Sequence, residues 1–288
     1  MFQSEQLDLS RFPAPLAIRD LGAVQILDER LVRLSEELAK IGVSFDTNDL
    51  ASDALVVLQD GDTWRELIAR AEINDAVRSV MIAFAVGSDL DHLAAFYGVV
   101  RLTGEQDPQF RRRVLLAPEA FSTAGSEGAY RFHALSASVD VVNVDVWKSG
   151  PGQVRVAIQS ARPRGIAEQP LIELVRDRLH QKDIKPLTDM VSVSSVKSLD
   201  YSIDVEGFVL PGPDPLAVKK LMEDSLLKMA IARFTPTRDL PLSAIYAAAT
   251  VGPVDRVLIK TPLADIAREN GELANCTGIK VKVQTHDG

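Results

Sequence analysis

The hydrophobic pattern of this chain changes period near residue 140, and that change sets its fold class. Before it, every strong pattern is helical. After it, Val142, Val144 and Val146 alternate with Asn143 and Asp145, and Val154, Val156 and Ile158 alternate with Arg155 and Gln159. A period of two marks strands with one buried face, and Gly150-Pro151-Gly152 between the runs marks a hairpin. Pairing Trp147 with Gln153 sets Val146 against Val154, Val144 against Val156 and Val142 against Ile158. It also sets Asp145 against Arg155 on a solvent face. An amphipathic helix follows over Glu168–His180, then a strand over Met190–Val196. A second unit repeats the scheme: a strand from Tyr201, a turn at Pro211-Gly212-Pro213, and a helix capped by Asp214-Pro215 that runs to about Phe234. A short helix at Leu242–Thr250 and strands at Val254–Lys260 and Ile279–Val283 complete it. The fold class is α+β: an N-terminal helical region, comprising a coiled-coil-like helix and a further helical segment, followed by two small α+β domains.

The helical half opens on an arm over residues 1–20 with Pro13 and Pro15. Val24, Leu27, Leu31, Leu34, Leu38 and Ile41 then form an a/d seam, which Gly42 ends. A seam this short is marginal alone, so the helix packs either on its own domain or, as its narrow stripe and acidic flanks (Asp28, Glu29, Glu36, Glu37) favour, in a bundle with other chains. A second helix is expected from the capping-box pair Thr63 and Glu66 to about Val86, with Trp64, Leu67, Ile68 and Ala71 inward. From Ala76 it lacks a polar face and needs cover on every side. Asp89 caps the next helix, and Asp107-Pro108 opens another as N-cap and first helical residue. After a small-residue break at Ser122–Gly128, a helix spans about Glu127–Ala137. The expected divisions are 1–60 (arm and bundle helix), 61–138 (helical), 139–198 (α+β) and 199–288 (C-terminal α+β).

Composition removes several function classes. Asp and Glu outnumber Lys and Arg by 40 to 32, for a net charge of −8. Residues 1–60 hold eleven acidic against five basic residues, which argues against direct nucleic-acid binding. The one dense basic run, Arg111-Arg112-Arg113, spreads around a helix and reads as a solvated or salt-bridged face. The longest apolar run, Val80–Val86, falls far short of the roughly 20 residues that span a bilayer. No basic and apolar leader is seen at the N-terminus, so synthesis and folding in the cytosol are expected.

Chemistry is sparse. Glycine-rich phosphate loops and the common hydrolase and zinc-protease motifs are missing from the sequence. Gly125-Ser126-Glu127-Gly128 opens a helix, but Glu127 sits where an anion would. Asp91 and His92 are adjacent on a helix and point apart. His133 reads as a packed or surface helix residue, His180 as a helix-end cation, and His286 lies in the tail. Cys276 is the single cysteine and reads as an inert thiol. No catalytic residue, cofactor or metal ligand is assigned.

Several segments, in order, resemble the baseplate J-like family of contractile phage tails and related injection machines. They begin with Ile73-Asn74-Asp75-Ala76, Gly87-Ser88-Asp89-Leu90-Asp91-His92-Leu93-Ala94 and Tyr97-Gly98-Val99 with Arg101. Phe110-Arg111-Arg112-Arg113-Val114, Leu116-Ala117-Pro118-Glu119-Ala120 and Ser122-Thr123-Ala124-Gly125 continue the match. Tyr130-Arg131-Phe132-His133-Ala134-Leu135-Ser136-Ala137, Pro186-Leu187-Thr188-Asp189 and Pro211-Gly212-Pro213-Asp214 complete it. The resemblance runs from about Asp60 to Val283.

It implies a structural wedge component of a virion or tail-like particle baseplate, assembled in the bacterial host cytoplasm. Copies would pair within a wedge, and N-terminal helices would bundle with another wedge protein. Sheath-initiating and hub proteins would be neighbours, with no membrane partner. C-terminal domains would meet across wedges in a sixfold ring that expands on contraction, turning about Pro211-Gly212-Pro213 and Gly252-Pro253. The interface residues expected are Val24, Leu27, Leu31, Leu34, Leu38 and Ile41 in the seam, and Ile279, Val281 and Val283 in the terminal strand. The alternative is a soluble enzyme with a carboxylate or remote-histidine site on an α+β scaffold.

Overall fold

The computed structural model of the protein describes Pro13, Pro15 and Ala17, then residues 22–45, 53–121 and 125–286. Most of the expected arm, and Ser122-Thr123-Ala124 of the small-residue break, lie outside the described residues. The chain forms two compact units, residues 5–100 and, chiefly, 101–288.

The first unit is helical. Helix α1 (Ala23–Lys40) ends as its sequence dictates: Gly42 takes a φ of +79° and donates its N–H to the Ala39 carbonyl, while the Val43 N–H bonds to Leu38. These two bonds satisfy the last carbonyls of the helix in a Schellman arrangement. Helix α2 (Ala54–Ser79) packs against α1. Glu66 of α2 joins them, accepting from the Arg30 guanidinium at 2.6 Å and bonding to Arg70 one turn on. The Arg30 and then the Arg70 hydrogen bonds hold the Glu66 carboxyl below its usual range. Helix α3 spans Gly87–Ala95.

Three expectations for α2 are corrected. The helix begins at Asp53, whose side chain accepts from the Leu55 N–H at 2.8 Å, and not at Asp62-Thr63. Gly61 lies inside it, since one helical glycine costs only about 1 kcal/mol. Thr63 therefore caps nothing; its buried hydroxyl donates to the Gln59 carbonyl one turn back. Of the four residues expected inward, Trp64, Ile68 and Ala71 are exposed and Leu67 is half-buried. The division expected between residues 60 and 61 falls inside this helix. The helix also stops at Ser79, and residues 80–84 form turns. Asp89 occupies the first turn of α3, with Val86 at the N-cap position, and Asp107 is likewise already helical, after Gln106.

The second unit holds two α+β lobes. In the first, helices α4 (Asp107–Ala120) and α5 (Glu127–Leu135) precede strands β1 (Val141–Gly150) and β2 (Gln153–Ser160). Helix α6 (Gln169–Leu179) then crosses over to β3 (Met190–Ser195), giving sheet order β1-β2-β3 with β2 and β3 parallel. Val144, Val146, Val156 and Ile158 meet Tyr130, Val175 and Leu179 in one core. In the second lobe, β4 (Lys197–Val209), α7 (Pro215–Arg233), α8 (Leu242–Ala249), β5 (Val254–Thr261) and β6 (Glu272–Thr285) form a sheet of order β5-β4-β6. Strand β4 runs antiparallel to β5 and parallel to β6. Helix α7 lies close on this sheet: a Cβ at Gly207 would come within 2.8 Å of the Met222 sulfur.

The hairpin register expected above is wrong by two residues. Asp145 pairs with Ala157, Val146 with Val156 and Val144 with Ile158, while Trp147 faces Arg155. A shift of two leaves every side chain on its original face, so the valine pattern fits both registers. The tight turn at Pro151-Gly152, with Gly152 at φ +68°, together with an irregularity after Lys148, selects the observed one. The face assumed to meet solvent is instead covered by the second lobe. Asp145 is 5% exposed; its Oδ2 accepts from the Gly271 N–H at 2.8 Å and from Arg268 Nη1 at 3.0 Å. Asn143 donates to Thr235 and Gln159 to the Phe234 carbonyl. Trp147, Ala157, Val196, Phe234 and Leu273 pack between the lobes, and a Cβ at Gly271 would press on the Trp147 ring at 3.0 Å.

Arg113 anchors the start of this unit. It is buried, and its Nε and Nη2 donate to the two Glu105 carboxylate oxygens at 2.8 and 2.7 Å, while Nη1 reaches Ser136. Phe110, fully buried, lies between the guanidiniums of Arg101 and Arg113. The salt-bridged reading of the arginine run thus holds at Arg113, inside the fold rather than on its surface. Arg113→Ala strands Glu105 and is expected to cost about 3–5 kcal/mol in urea unfolding, with Arg113→Lys losing less. Asp145→Ala is expected to cost on the order of 3 kcal/mol and to speed amide exchange at Gly271. Unchanged exchange there would separate Asp145 from the contact between lobes.

Candidate assembly surfaces

The titratable groups are dispersed. Among the described residues, no three His, Cys, Asp or Glu side chains gather as a metal ion requires. His92 is exposed on α3. The His180 Nδ1 lies 2.8 Å from the Arg176 carbonyl at the end of α6, and the His286 Nε2 lies 3.2 Å from Asp255. Cys276 is half-buried, with its sulfur 3.6 Å from the Gly278 carbonyl. Ser126 caps α5 by accepting from the Ala129 N–H, and its hydroxyl donates to Glu119. Gly125-Ser126-Glu127-Gly128 is a helix start.

One small cleft lies beside this start, about 250 Å³ and lined by Glu127, Tyr130, Trp147, Lys148, Gln153 and Asp189. Its volume falls below the ~300–1,000 Å³ of typical ligand pockets. The Tyr130 hydroxyl donates to Asp189 at 2.7 Å. Burial, then the Asp189 carboxylate, pushes its pKa up, so it stays a donor. This contact closes the lobe between α5 and the loop before β3.

Surface character separates the two units more clearly. On α1, Leu31 is buried, Leu27, Leu34 and Leu38 are half-buried, and Val24 and Ile41 at the seam's ends are 72% and 73% exposed. Leu31 and its neighbour Ile26 are covered by the chain itself; the ends of the seam are not. On α2, Val57, Trp64 (65% exposed) and Ile68 lie in solvent along one stripe, and Leu55, Leu58 and Ile73 are exposed elsewhere on the helix. Val80, Met81, Val86, Phe96 and Val100 extend the exposed apolar surface. The sequence shows the period of this stripe but not whether the chain itself covers it. The 7-4-3 spacing of Val57, Trp64, Ile68 and Ala71, a second heptad seam, was the available signal.

The second unit is better covered. Gln109 and Arg112 of α4 bond to the carbonyls of Val139, Val141 and Val142 at the start of edge strand β1, a common protection for a sheet edge. Strand β6 is also an edge, bonded along its length to β4. Val281 is 4% exposed within the lobe's own core, and Ile279 and Val283 pack against that core. These three side chains are used internally, and β6 offers a partner its backbone edge. The outer face of the sheet is a charge ladder: Lys260 meets Glu206 at 2.8 Å and Lys280 meets Asp204 at 3.6 Å. Leu216, Leu227 and Ile231 on α7 are exposed, as is Leu263 after β5. Pro211-Gly212-Pro213 joins β4 to α7, and Gly252-Pro253 joins α8 to β5. Both connectors lie within the lobe, so the expectation that the lobe turns about them as a body is corrected.

One group on α5 carries a pH signature. Burial, then Arg178, pulls the His133 pKa down to about 4, with Asp183 pushing the other way, and its Nδ1 has no hydrogen-bond partner. Folding therefore favours the neutral ring. Its contribution is complete above the ordinary value of 6.5 and is lost as pH falls towards 4. Between neutral and acid pH the urea midpoint of the natural protein is expected to fall more steeply than that of His133→Gln. Parallel curves would show that this histidine does not resist protonation.

Comparison with known proteins matches residues 51–107 to the baseplate J-like N-terminal domain and residues 122–195 to the baseplate J-like central domain. The chain is 35% identical to baseplate protein J of Escherichia phage P2 over 96% of its own length and 97% of that protein's. No described helix is long and apolar enough to cross a membrane.

Proposed function

The chain belongs to the baseplate J-like family, and we propose that it is a structural component of a contractile phage tail baseplate or a related tail-like particle. The observation that carries this reading is the end-to-end similarity to a phage baseplate protein, over 96% of the chain. The structure supports it physically. Apolar side chains stand exposed on α1 and α2 and in the segments flanking α3, and exposed patches of this kind serve as interaction surfaces. The protein acts as a scaffold and not as an enzyme.

In finer terms, the protein is a wedge component that pairs with a second copy. The α1 seam joins a helical bundle with another wedge protein through Val24, Leu27, Leu34, Leu38 and Ile41, with Leu31 as its internal anchor. The C-terminal lobe links wedges into a sixfold ring through the β6 edge and its surroundings. Ile279, Val281 and Val283 hold β6 in place behind that contact. Because Asp145 and its neighbours hold the lobes together, ring expansion on sheath contraction occurs between copies and not at the proline turns. Sheath-initiating and hub proteins are its other neighbours, and assembly takes place in the host cytoplasm.

Removing the gene should yield particles without baseplates, and its product should be found in purified tails. Val24→Asp with Ile41→Asp touches only the exposed ends of the seam. That variant should keep the helical signal and thermal midpoint of the natural protein within about 2 °C, since exposed substitutions cost little. It should nonetheless fail to restore baseplates. Normal incorporation of the variant would remove the seam from the assembly, and intact baseplates without the gene would remove the function itself.

A further inference from the structure

We infer that the exposed stripe of α2 is the surface through which two copies of this chain pair, antiparallel, about a twofold axis near residues 69 and 70. The inference rests on the reading above that copies pair, and it assigns the pairing to named residues. Val57, Gly61, Trp64, Ile68, Ala71 and Asp75 follow one another at intervals of 4, 3, 4, 3 and 4 residues, the a/d repeat of a coiled-coil seam. All six are exposed. The opposite side of α2, carrying Val56, Thr63 and Glu66, is already buried or bonded to α1.

Charge identifies the occupant. Residues one step beyond the d positions flank the seam, and here they include Arg65 and Glu72, both exposed. In an antiparallel pair with Ile68 of one copy layered against Ala71 of the other, Arg65 of each copy stands opposite Glu72 of its mate. The twofold axis makes this contact twice. Such self-complementarity is what an isologous interface requires. The same arrangement sets Trp64 beside Asp75 of the other copy, whose carboxylate can accept the indole N–H, and gives the long Arg78 side chain the space over Gly61. A parallel pair would set Asp75 against Asp75 and Arg78 against Arg78. The overlap, residues 61–78, spans about 27 Å of helix. That length is short for a stable dimer interface, so the pair is weak in solution and is reinforced within the particle.

Sedimentation of the full chain over a concentration series tests this. The natural protein should show a reversible monomer–dimer equilibrium, and Trp64→Asp should abolish it without altering the circular dichroism. Arg65→Glu and Glu72→Arg should each weaken dimerisation at least about fivefold, and the double reversal should restore it to within about twofold. A chain that stays monomeric at the highest soluble concentration overturns the inference. So does a double reversal no tighter than the single variants. Association that persists in Trp64→Asp also overturns it, by placing the pairing surface elsewhere. Finding the natural protein in purified tails is a separate measurement, so the pairing surface can fail while the baseplate role stands.

Discussion

Asp145 organises the larger unit. It comes from the middle of β1, on the face turned away from the first core, where its carboxylate meets the Gly271 N–H and the Arg268 guanidinium. A buried carboxylate without partners would cost several kcal/mol, so the second lobe must sit where it supplies both. The neighbouring contacts follow from that placement. Trp147 lies on Gly271, which has no side chain to hold the ring away, and Ala157 meets Val196 and Leu273. Just one residue, Val196, separates β3 from β4. Two lobes with separate cores are thereby made to behave as one.

The first unit is built on the opposite principle. Among the described residues, its internal ties include a partly buried ion pair around Glu66 and the buried side chains of Ile26, Leu31 and Val56. Its outside carries tryptophan, phenylalanine, isoleucine and leucine side chains in quantity, with Phe96 at 87% exposed. Burying such a side chain is worth about 1.5–3 kcal/mol, and this chain alone leaves that stabilisation unrealised. A protein whose helical half exposes more of its apolar side chains than its sheet-bearing half does has a division of surface suited to a scaffold.

How far the sequence revealed this depended on what kind of information each element carried. Strands β1, β2, β4 and β6 were legible because their alternation of apolar and polar residues reports a buried face directly. The stop of α1 was legible because only a residue at ease with positive φ closes a helix as Gly42 does. The hairpin register was not, since shifts of two residues are invisible to a period-two pattern and the deciding fact was remote. Asp145 looked like a solvent residue because its partners lie more than 120 residues away. The start of α2 was missed for a related reason. A good local cap at Thr63 competed with a better one at Asp53, and only the whole helix shows which prevails. Whether the apolar stripe of α2 is core or surface was not legible for a different reason: periodicity marks an apolar face without saying what covers it.

The terminal strand shows how structure redistributes a role the sequence assigned to side chains. Ile279, Val281 and Val283 alternate as an interface would, yet they alternate equally well as the inner face of an edge strand, and the lobe uses them so. What remains outside is the charged row, in which Lys280 meets Asp204, and the backbone edge of β6 itself. Lysines along an edge discourage indiscriminate pairing, so any neighbour that docks there must bring acidic groups or approach where the row ends. Specificity at this end of the chain therefore rests on charge and backbone geometry, whereas the helical end presents an apolar stripe flanked by Arg65 and Glu72. Two surfaces of such different chemistry suit neighbours of different kinds.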